Sequence, residues 1–474
     1  MSNNERGNWG SSIGFLLAAV GSAVGLGNLW GFPYKMGMNG GFAFLIVYLV
    51  LAVFVGFIML TAEMTIGRKS HRGVVGAFAA INKKYTWIGW IGVIIPTLIL
   101  FFYVVLGAYC LEYFCLNLAD LGFSVVGVSG GELFGGMLTN PLGSIAFTAL
   151  MLILAFFILK GGIKDGIEKF NIVGMPLLAV MLLITIFRSI SLPGAAEGLA
   201  FMFAPNFEPL KENFVGVLAV AAGQMFFSLS VAMGIMVTYG SYLSKKEHIV
   251  KNSLMVVIFD TLVAVMAGMA ILPAAIALGG QDAALAGPKL LFITLQDVFN
   301  SMGAIGPLFG TIFYLLVVIA TITSIISLME VDITLYTDRC HDKGVEPNRL
   351  KTTLVVAIII FIGAALVAAD GLGSNGLWVP FQSSMGIHNW NDCWLDLLDF
   401  ISEGVLMPFL ALLTSLVVGW LWGPQNIKDE IELEGHTFGI YGFFWFCIKF
   451  IVPIAMVFVL LGQLDSFLSL GIFG

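Results

Sequence analysis

The sequence predicts an all-α polytopic membrane protein of eleven spans. The first and sixth spans are discontinuous, and the first ten form two five-span halves of opposite orientation. Three observations predict this. The 474 residues are 59% hydrophobic and only 11% charged, with a mean hydropathy of +0.98, whereas a soluble domain carries roughly 25% charged residues. Eleven apolar stretches approach the length of about 20 residues that a membrane crossing needs. Two of those stretches, at corresponding places in the two halves, are interrupted by glycines and polar residues that a plain spanning helix would not gain from.

In chain order the spans fall near residues 11–37, 41–67, 88–117, 142–160, 167–190, 214–243, 249–279, 303–337, 352–369, 399–423 and 438–462. They make one transporter-like domain over 1–474: a first repeat at about 11–190, a second at about 214–423 and an extra span at about 438–462. No cleavable signal peptide is expected, because the first apolar segment is too long and carries an interrupted motif. With the N-terminus placed inside, the inner segments hold Arg6, Arg68, Lys69, Arg72, Lys83, Lys84, Lys160, Lys164, Lys169, Lys245, Lys246, Lys251, Arg339, Lys343, Arg349, Lys351 and Lys428, which is 17 of the 22 basic residues. The positive-inside rule therefore predicts a cytoplasmic N-terminus, and an odd span count an external C-terminus. The net charge of −7 says little about partners, and no nucleic-acid partner is expected.

The first span reads GSAVGLGNLWGFP from Gly21 to Pro33. Gly21 and Gly25 alone fit a close-packing face of small residues. Asn28, the Gly27–Asn28 pair and Pro33 go further, because helix breakers at membrane depth are tolerated where the freed backbone lines a cavity or binds something. The sixth span is interrupted in the same way, at GQMFFSLSVAMG from Gly223 to Gly234. A pair of broken segments at matching positions in two halves points to a transporter's midplane site. Unwinding there frees carbonyl oxygens, which suit a bare monovalent cation. It also exposes a half-helix N-terminus, which suits a carboxylate. Glycines at 25 and 27 let a ligand approach the backbone closely.

Catalysis is poorly supported. The five cysteines (110, 115, 340, 393 and 447) form no CxxC pair and have no His partner at metal-ligand spacing; they read as small apolar residues. No phosphate loop, zinc motif or nucleophile elbow occurs, and no enzymatic activity is expected.

The motifs SAVGLGNLWGFPYK, AEMTIGR (Ala62–Arg68), GQMFFSLS and IATITSIISLME (Ile319–Glu330) resemble the neurotransmitter:sodium symporter family over about residues 6 to 460. The resemblance implies a leucine-transporter-like fold in an eleven-span bacterial form, located in the cell membrane, and an amino-acid substrate carried with Na+ at two sites. The first sodium site would use Ala23, Asn28, Ser228 and Asp260 together with the substrate carboxylate. The second would use the carbonyls of Gly21, Val24 and Ala320 and the hydroxyls of Thr323 and Ser324. Read from the residues alone, those two hydroxyls could instead bond back to their own helix. The substrate carboxylate would meet the amides near Gly25 and Gly27 and the hydroxyl of Tyr103. Its amine would meet the carbonyls of Ala23, Phe227 and Ser228 and the hydroxyl of Ser230. The side-chain pocket would be Ile99, Tyr103, Phe227, Met233, Ser324 and Leu328.

The resemblance also implies gates. Arg6 and Trp9 match the inner latch, with Asp338 as the acidic partner and Tyr242 nearby. Gly166 and Pro176 enclose nine residues, IEKFNIVGM, in the family's pattern for a fifth span that unwinds to release sodium. A helix kink without a role is the alternative. Glu63 is expected to brace unwound backbone. The family's outer gate pairs an Arg with an Asp; here the Arg position is Gly31 and the Asp is Asp399. Lys35, one turn on, either reaches toward Asp399 or snorkels to the outer interface. Glu330 replaces a more usual Gln.

Members that carry monoamines have an Asp at the position of Gly25, so glycine there implies a substrate that brings its own carboxylate. The pocket contains no charge, and a charged side chain would be desolvated without a partner. A neutral substrate, aliphatic or aromatic, is expected. Asp260 stands where a neutral Asn is usual, and Ala264 where the family's bacterial members can carry a carboxylate in place of chloride. This predicts chloride-independent transport, with proton counter-movement open as a further step. The rival readings are a non-transporting amino-acid sensor and an ion channel on the same scaffold.

Overall fold

The structure is a computed structural model that describes residues 8–123, 128–280, 289–377 and 393–468. Among them there is no strand, and helices follow one another throughout. In a hydrocarbon medium a backbone must satisfy its own hydrogen bonds, and a helix does so within one segment. Among the described residues nine helices are long and apolar enough to cross: Phe42–Ser70, Lys83–Leu121, Pro141–Leu159, Ile163–Ile190, Ile249–Gly279, Gly303–Asp342, Arg349–Asp370, Trp394–Leu421 and Tyr441–Asp465. Ser12–Ala23 and Gly27–Met38 form a pair bent by 45°. Phe214–Ser228 and Ile235–Gly240 are separated by a non-helical stretch. The bent pair brings the number to ten, and Phe214–Ser228 is a shorter apolar helix; with each broken pair taken as one segment, they are numbered spans 1 to 11 in chain order.

The break in span 1 follows its residues. Val24 leaves the helix with ψ at 99°. The chain resumes as a wide π-turn over Gly27–Gly31 and then as Phe32–Met38. Pro33 lies in the first turn of that last piece, where its missing N–H costs least. The break in span 6 is more strained, with Ser230 at φ 53°, Ala232 at φ 59° and Gly234 at φ 76°. Left-handed backbone costs a residue other than glycine about 1–2 kcal/mol, so this loop needs support. Glu63 of span 2 gives it: its Oε1 accepts the Ala232 N–H at 2.8 Å, as expected from the sequence. The two breaks also meet directly, since Ser230 Oγ donates to the Ser22 carbonyl at 2.9 Å.

Around them, span 8 packs along span 3, and the first half of span 1 sits against spans 5, 7 and 8. Arg68, wholly buried at the end of span 2, ties down two connections. It donates to Glu430 Oε1 at 2.9 Å and to the Glu247 carbonyl at 2.7 Å.

Candidate functional site

Between the two breaks lies a small cavity lined by Ser22, Ala23, Gly25, Gly27, Ile99, Tyr103, Phe227, Ser230, Met233, Ile235, Ser324 and Leu328. Apart from Ser228, every residue expected to hold the substrate is on this wall; Ser22 and Ile235 are additions. No lining side chain is charged. The open space is about 20 Å³, room for one water, so an amino acid can enter only if side chains move. Gly25 lets these side chains close on the backbone, since a Cβ there would lie 2.3 Å from Ser324 Oγ and 2.4 Å from Tyr103 Oη and both would have to move. A Cβ at Gly27 would lie 2.9 Å from the Phe227 ring. The Gly25 N–H donates to Asn28 Oδ1 at 3.1 Å, and the Leu26 N–H to Tyr103 Oη at 2.9 Å.

Ser228 faces the other way, into a polar cluster around Asp260. All four side chains of this cluster are buried, and three neighbours donate to the carboxyl group. Asn28 Nδ2 does so at 2.8 Å, Ser228 Oγ at 2.9 and 3.0 Å and Tyr48 Oη at 3.2 Å. Asn28 Nδ2 also reaches the Asp260 carbonyl at 3.1 Å. A carboxyl group met only by donors is matched in its ionised form. Asn28, Ser228 and Asp260 are therefore together, with the Ala23 backbone on the adjoining wall. The side chains carry hard oxygens, which fit an alkali cation, although Asn28 turns its Nδ2 toward Asp260 and its Oδ1 toward the Gly25 N–H.

The donors proposed for a second ion are on facing helices. Ser324 Oγ donates to the Ser22 carbonyl at 3.2 Å and to the Ala320 carbonyl at 3.3 Å, and Thr323 Oγ1 donates to the Ala320 carbonyl at 2.7 Å. The back-bonded arrangement weighed for these hydroxyls thus occurs. A hydroxyl whose proton is donated keeps lone pairs for a cation, so the oxygen set still suits sodium.

On one side of the cavity is a vestibule of about 390 Å³. Gly27, Tyr103 and Phe227 line both spaces, and the Tyr103 and Phe227 rings, 6.0 Å apart, separate them. Lys35, Asp396, Asp399 and Glu403 line the vestibule too. Here the structure corrects one expectation. Lys35 Nζ pairs with Glu403 Oε1 at 2.5 Å, rather than bonding Asp399, which sits one turn earlier on the same helix. Spans 1 and 10 run in opposite directions, so the long lysine side chain turns back along its own helix to meet a carboxylate one turn after Asp399. At Gly31 a Cβ would meet Gln224 Oε1 at 2.7 Å, so a larger residue there would require that side chain to move.

The opposite end is closed. Trp9 Nε1 donates to the Tyr239 carbonyl at 3.3 Å, and the Trp9 ring packs edge-on against Phe15 and Tyr239. Asp338 Oδ2 accepts the Gly73 N–H at 2.8 Å; Arg6, its expected partner, lies outside the described residues. Tyr242 Oη donates to Glu330 Oε1 at 3.0 Å. Glu330 is also paired with Arg349, at 2.6 Å, a partnership that spacing along the chain did not reveal. Tyr48 was missed as well; an aromatic hydroxyl within an apolar run gives no periodic cue to its partner.

Comparisons with known proteins bear on the family and the fold. The model of the Sodium:neurotransmitter symporter family matches residues 6–125 and 134–472. An uncharacterised sodium-dependent transporter of Bacillus subtilis, YhdH, is 31% identical over 97% of this chain and 98% of its own length. One from Haemophilus influenzae is 29% identical over 98% and 99%. Among solved structures, MhsT in complex with L-phenylalanine superposes with a TM-score of 0.85 at 35% identity, covering 97% of this chain and all of that one (100%). With a family model spanning nearly its whole length, the chain belongs to the sodium:neurotransmitter symporter family.

Proposed function

We propose that the protein imports a neutral, hydrophobic or aromatic amino acid together with sodium, by alternating access and without chloride. The observation that carries this is the uncharged cavity between the two helix breaks, with its backbone amides on one side and the Asp260 oxygen cluster behind it. The phenylalanine bound in MhsT supports an aromatic or large aliphatic substrate. Met233, flexible at the pocket wall, could make room for one.

Asn28 links substrate and ion. Its Oδ1 now satisfies the Gly25 N–H. Sodium at the first site would take that oxygen, and the substrate carboxylate would take the freed amide. Each ligand thus prepares the site for the other, which makes their affinities mutually dependent. Tyr103 accepts from Leu26 and keeps its own proton for the carboxylate. Asp260 supplies, beside the first ion, the negative charge that chloride would otherwise provide. The second ion would sit among the carbonyls of Gly21, Val24 and Ala320 and the hydroxyls of Thr323 and Ser324.

The basic residues favour a cytoplasmic N-terminus. The vestibule then opens outward, and the Trp9 end is the closed inner gate. The matching breaks in spans 1 and 6 support two repeats of inverted orientation.

The test is uptake into proteoliposomes under an inward sodium gradient, using a panel of amino acids. Concentrative, sodium-dependent uptake of phenylalanine or leucine that persists when gluconate replaces chloride is expected. Binding without accumulation would favour a sensor, and uncoupled ion current a channel. Preferred uptake of lysine, glutamate or a monoamine would overturn the substrate assignment.

A further inference from the structure

Span 5 begins with a wide π-turn at Ile163–Glu168, preceded by Gly162 at φ 76°, and carries Pro176 within its helix. Both features weaken the helical ladder at its inner end. Asn171 stands between them and is wholly buried. Its Nδ2 donates to the Ile167 carbonyl at 2.9 Å. That bond fixes the amide orientation, because a flip would set oxygen against oxygen. Oδ1 therefore points away, and it has no hydrogen-bond partner in the protein. A buried amide oxygen without a donor is costly, so its position calls for an explanation.

The oxygen points at span 1. A Cβ on Gly21 would lie 1.9 Å from Asn171 Oδ1 and 3.1 Å from Met175 Sδ, so the amide lies directly against the Gly21 backbone. One turn further along, Gly174 faces Ile319 of span 8, where a Cβ would lie 3.3 Å from the isoleucine methyl. Asn171 is thus at the seam of spans 1, 5 and 8, beside the helices that carry Gly21, Val24, Ala320, Thr323 and Ser324. One turn nearer the chain's inner end, Glu168 faces the same helix. Its Oε2 accepts the Gly10 N–H at 2.6 Å, and its Oε1 the Ser11 hydroxyl at 2.9 Å. The face of span 5 that looks at span 1 therefore carries an amide oxygen and then a carboxylate, in order from the second sodium cage to the inner surface. The carboxylate is occupied in pinning the start of span 1.

We propose that Asn171 Oδ1 is the first oxygen to receive sodium as it leaves the second cage inward. Glu168 receives it next, once the Gly10 and Ser11 bonds are released. Asn171 is then a transient ion ligand on the exit path rather than a member of the cage. This rests on the symporter reading above. An oxygen of moderate strength suits the step, because a relay must bind weakly enough to let the ion go. A hydrocarbon side chain would leave the ion without a ligand midway. A carboxylate at this depth, away from the inner surface that Glu168 borders, would hold it too long.

The test uses full-length protein in proteoliposomes with Asn171→Leu, Asn171→Ala and Asn171→Asp. Two measurements locate the step: the sodium dependence of amino-acid binding in detergent, and the inhibition of net uptake by sodium loaded inside. The leucine and alanine variants should bind the amino acid that the wild type accumulates with an unchanged sodium dependence. They should exchange it under equal sodium on both sides, but lose about fivefold or more in net uptake. The aspartate variant should keep net uptake into sodium-free vesicles, yet be inhibited by about tenfold less internal sodium. Net uptake and internal inhibition unchanged in all three variants would overturn the proposal. So would a parallel loss of sodium-dependent binding, which would mark Asn171 as a packing residue. Wild-type vesicles that show no sodium-driven accumulation would instead overturn the symporter reading.

Discussion

The ammonium of Lys35 lies 2.5 Å from Glu403 Oε1, with both side chains largely withdrawn from solvent, at the mouth of the vestibule. Span 1 and span 10 are thereby joined above the Tyr103–Phe227 lid, although Gly31 offers no side chain for the purpose. Asp399 shares the vestibule wall.

Removing one member of such a pair leaves the other charge buried and unpaired, which is more damaging than replacing both. Glu403→Gln and Lys35→Met should each lower uptake by about tenfold, corresponding to about 1.4 kcal/mol in the closed outward state. Asp399→Asn should cost less, and the exchange Lys35→Glu with Glu403→Lys should recover part of the loss. Initial rates in proteoliposomes decide this. A Lys35→Met variant that transports and closes normally would return Lys35 to a snorkelling role.

Asp260→Asn keeps the shape of the Asn28–Ser228–Tyr48 cluster but removes its charge. Sodium affinity at the first site should fall by about tenfold or more, an effect of the size expected for a charged ligand in a low-dielectric site. Uptake by the variant should also respond to chloride, which could then supply the missing anion. Sodium titrations in chloride and in gluconate measure both effects. Unaltered sodium affinity in the variant, or wild-type uptake that collapses in gluconate, would refute the assignment.

How far the sequence reached depends on what determines each feature. Span positions follow from runs of apolar residues, which composition reveals directly. The two breaks were legible because Gly25, Asn28 and Pro33, or Ser228, Ser230 and Gly234, have no place in an uninterrupted membrane helix. The pocket wall was then accessible residue by residue through the family resemblance. Pairings across the bundle were not. Lys35 with Glu403 and Glu330 with Arg349 depend on helix rotation and on the reach of long side chains. Tyr48 reaches Asp260 across 212 positions of sequence, which no local pattern encodes. The free oxygen of Asn171 depends on which way an amide faces.

Glu63 gives a stability prediction. Its Oε1 holds the amide of Ala232, a residue kept at φ 59°. Glu63→Ala would leave that amide buried without an acceptor, at a cost of about 1–3 kcal/mol. Glu63→Gln keeps an acceptor and should cost less. Thermal unfolding of the purified protein should rank wild type, Gln and Ala in that order. Substrate binding should fall with stability in the alanine variant, because the span 6 loop forms part of the pocket. An alanine variant as stable as wild type would show that the loop holds its strained shape without Glu63.

Glu330 and Arg349 give the last prediction. Arg349 Nη2 and Nη1 reach Glu330 at 2.6 and 3.2 Å, while Nε donates to the Leu159 carbonyl at 2.9 Å. Tyr242 adds its hydroxyl to the same carboxylate. Spans 4, 6, 8 and 9 are thus fastened at one point on the closed side. Glu330 is fully buried there, so Arg349→Ala would strand its carboxylate at a cost of about 3–5 kcal/mol. The closed inner gate should open more often in that variant. An Ala18→Cys reporter, wholly buried in the closed form, should then react faster with a thiol reagent applied from the inner side, and net uptake should fall. Glu330→Gln alone should be milder, and Glu330→Gln combined with Arg349→Ala should be less impaired than Arg349→Ala alone, because no charge is then left stranded. A double variant whose losses are the sum of the single ones would show that the two residues act independently, and the clasp would not exist as a unit.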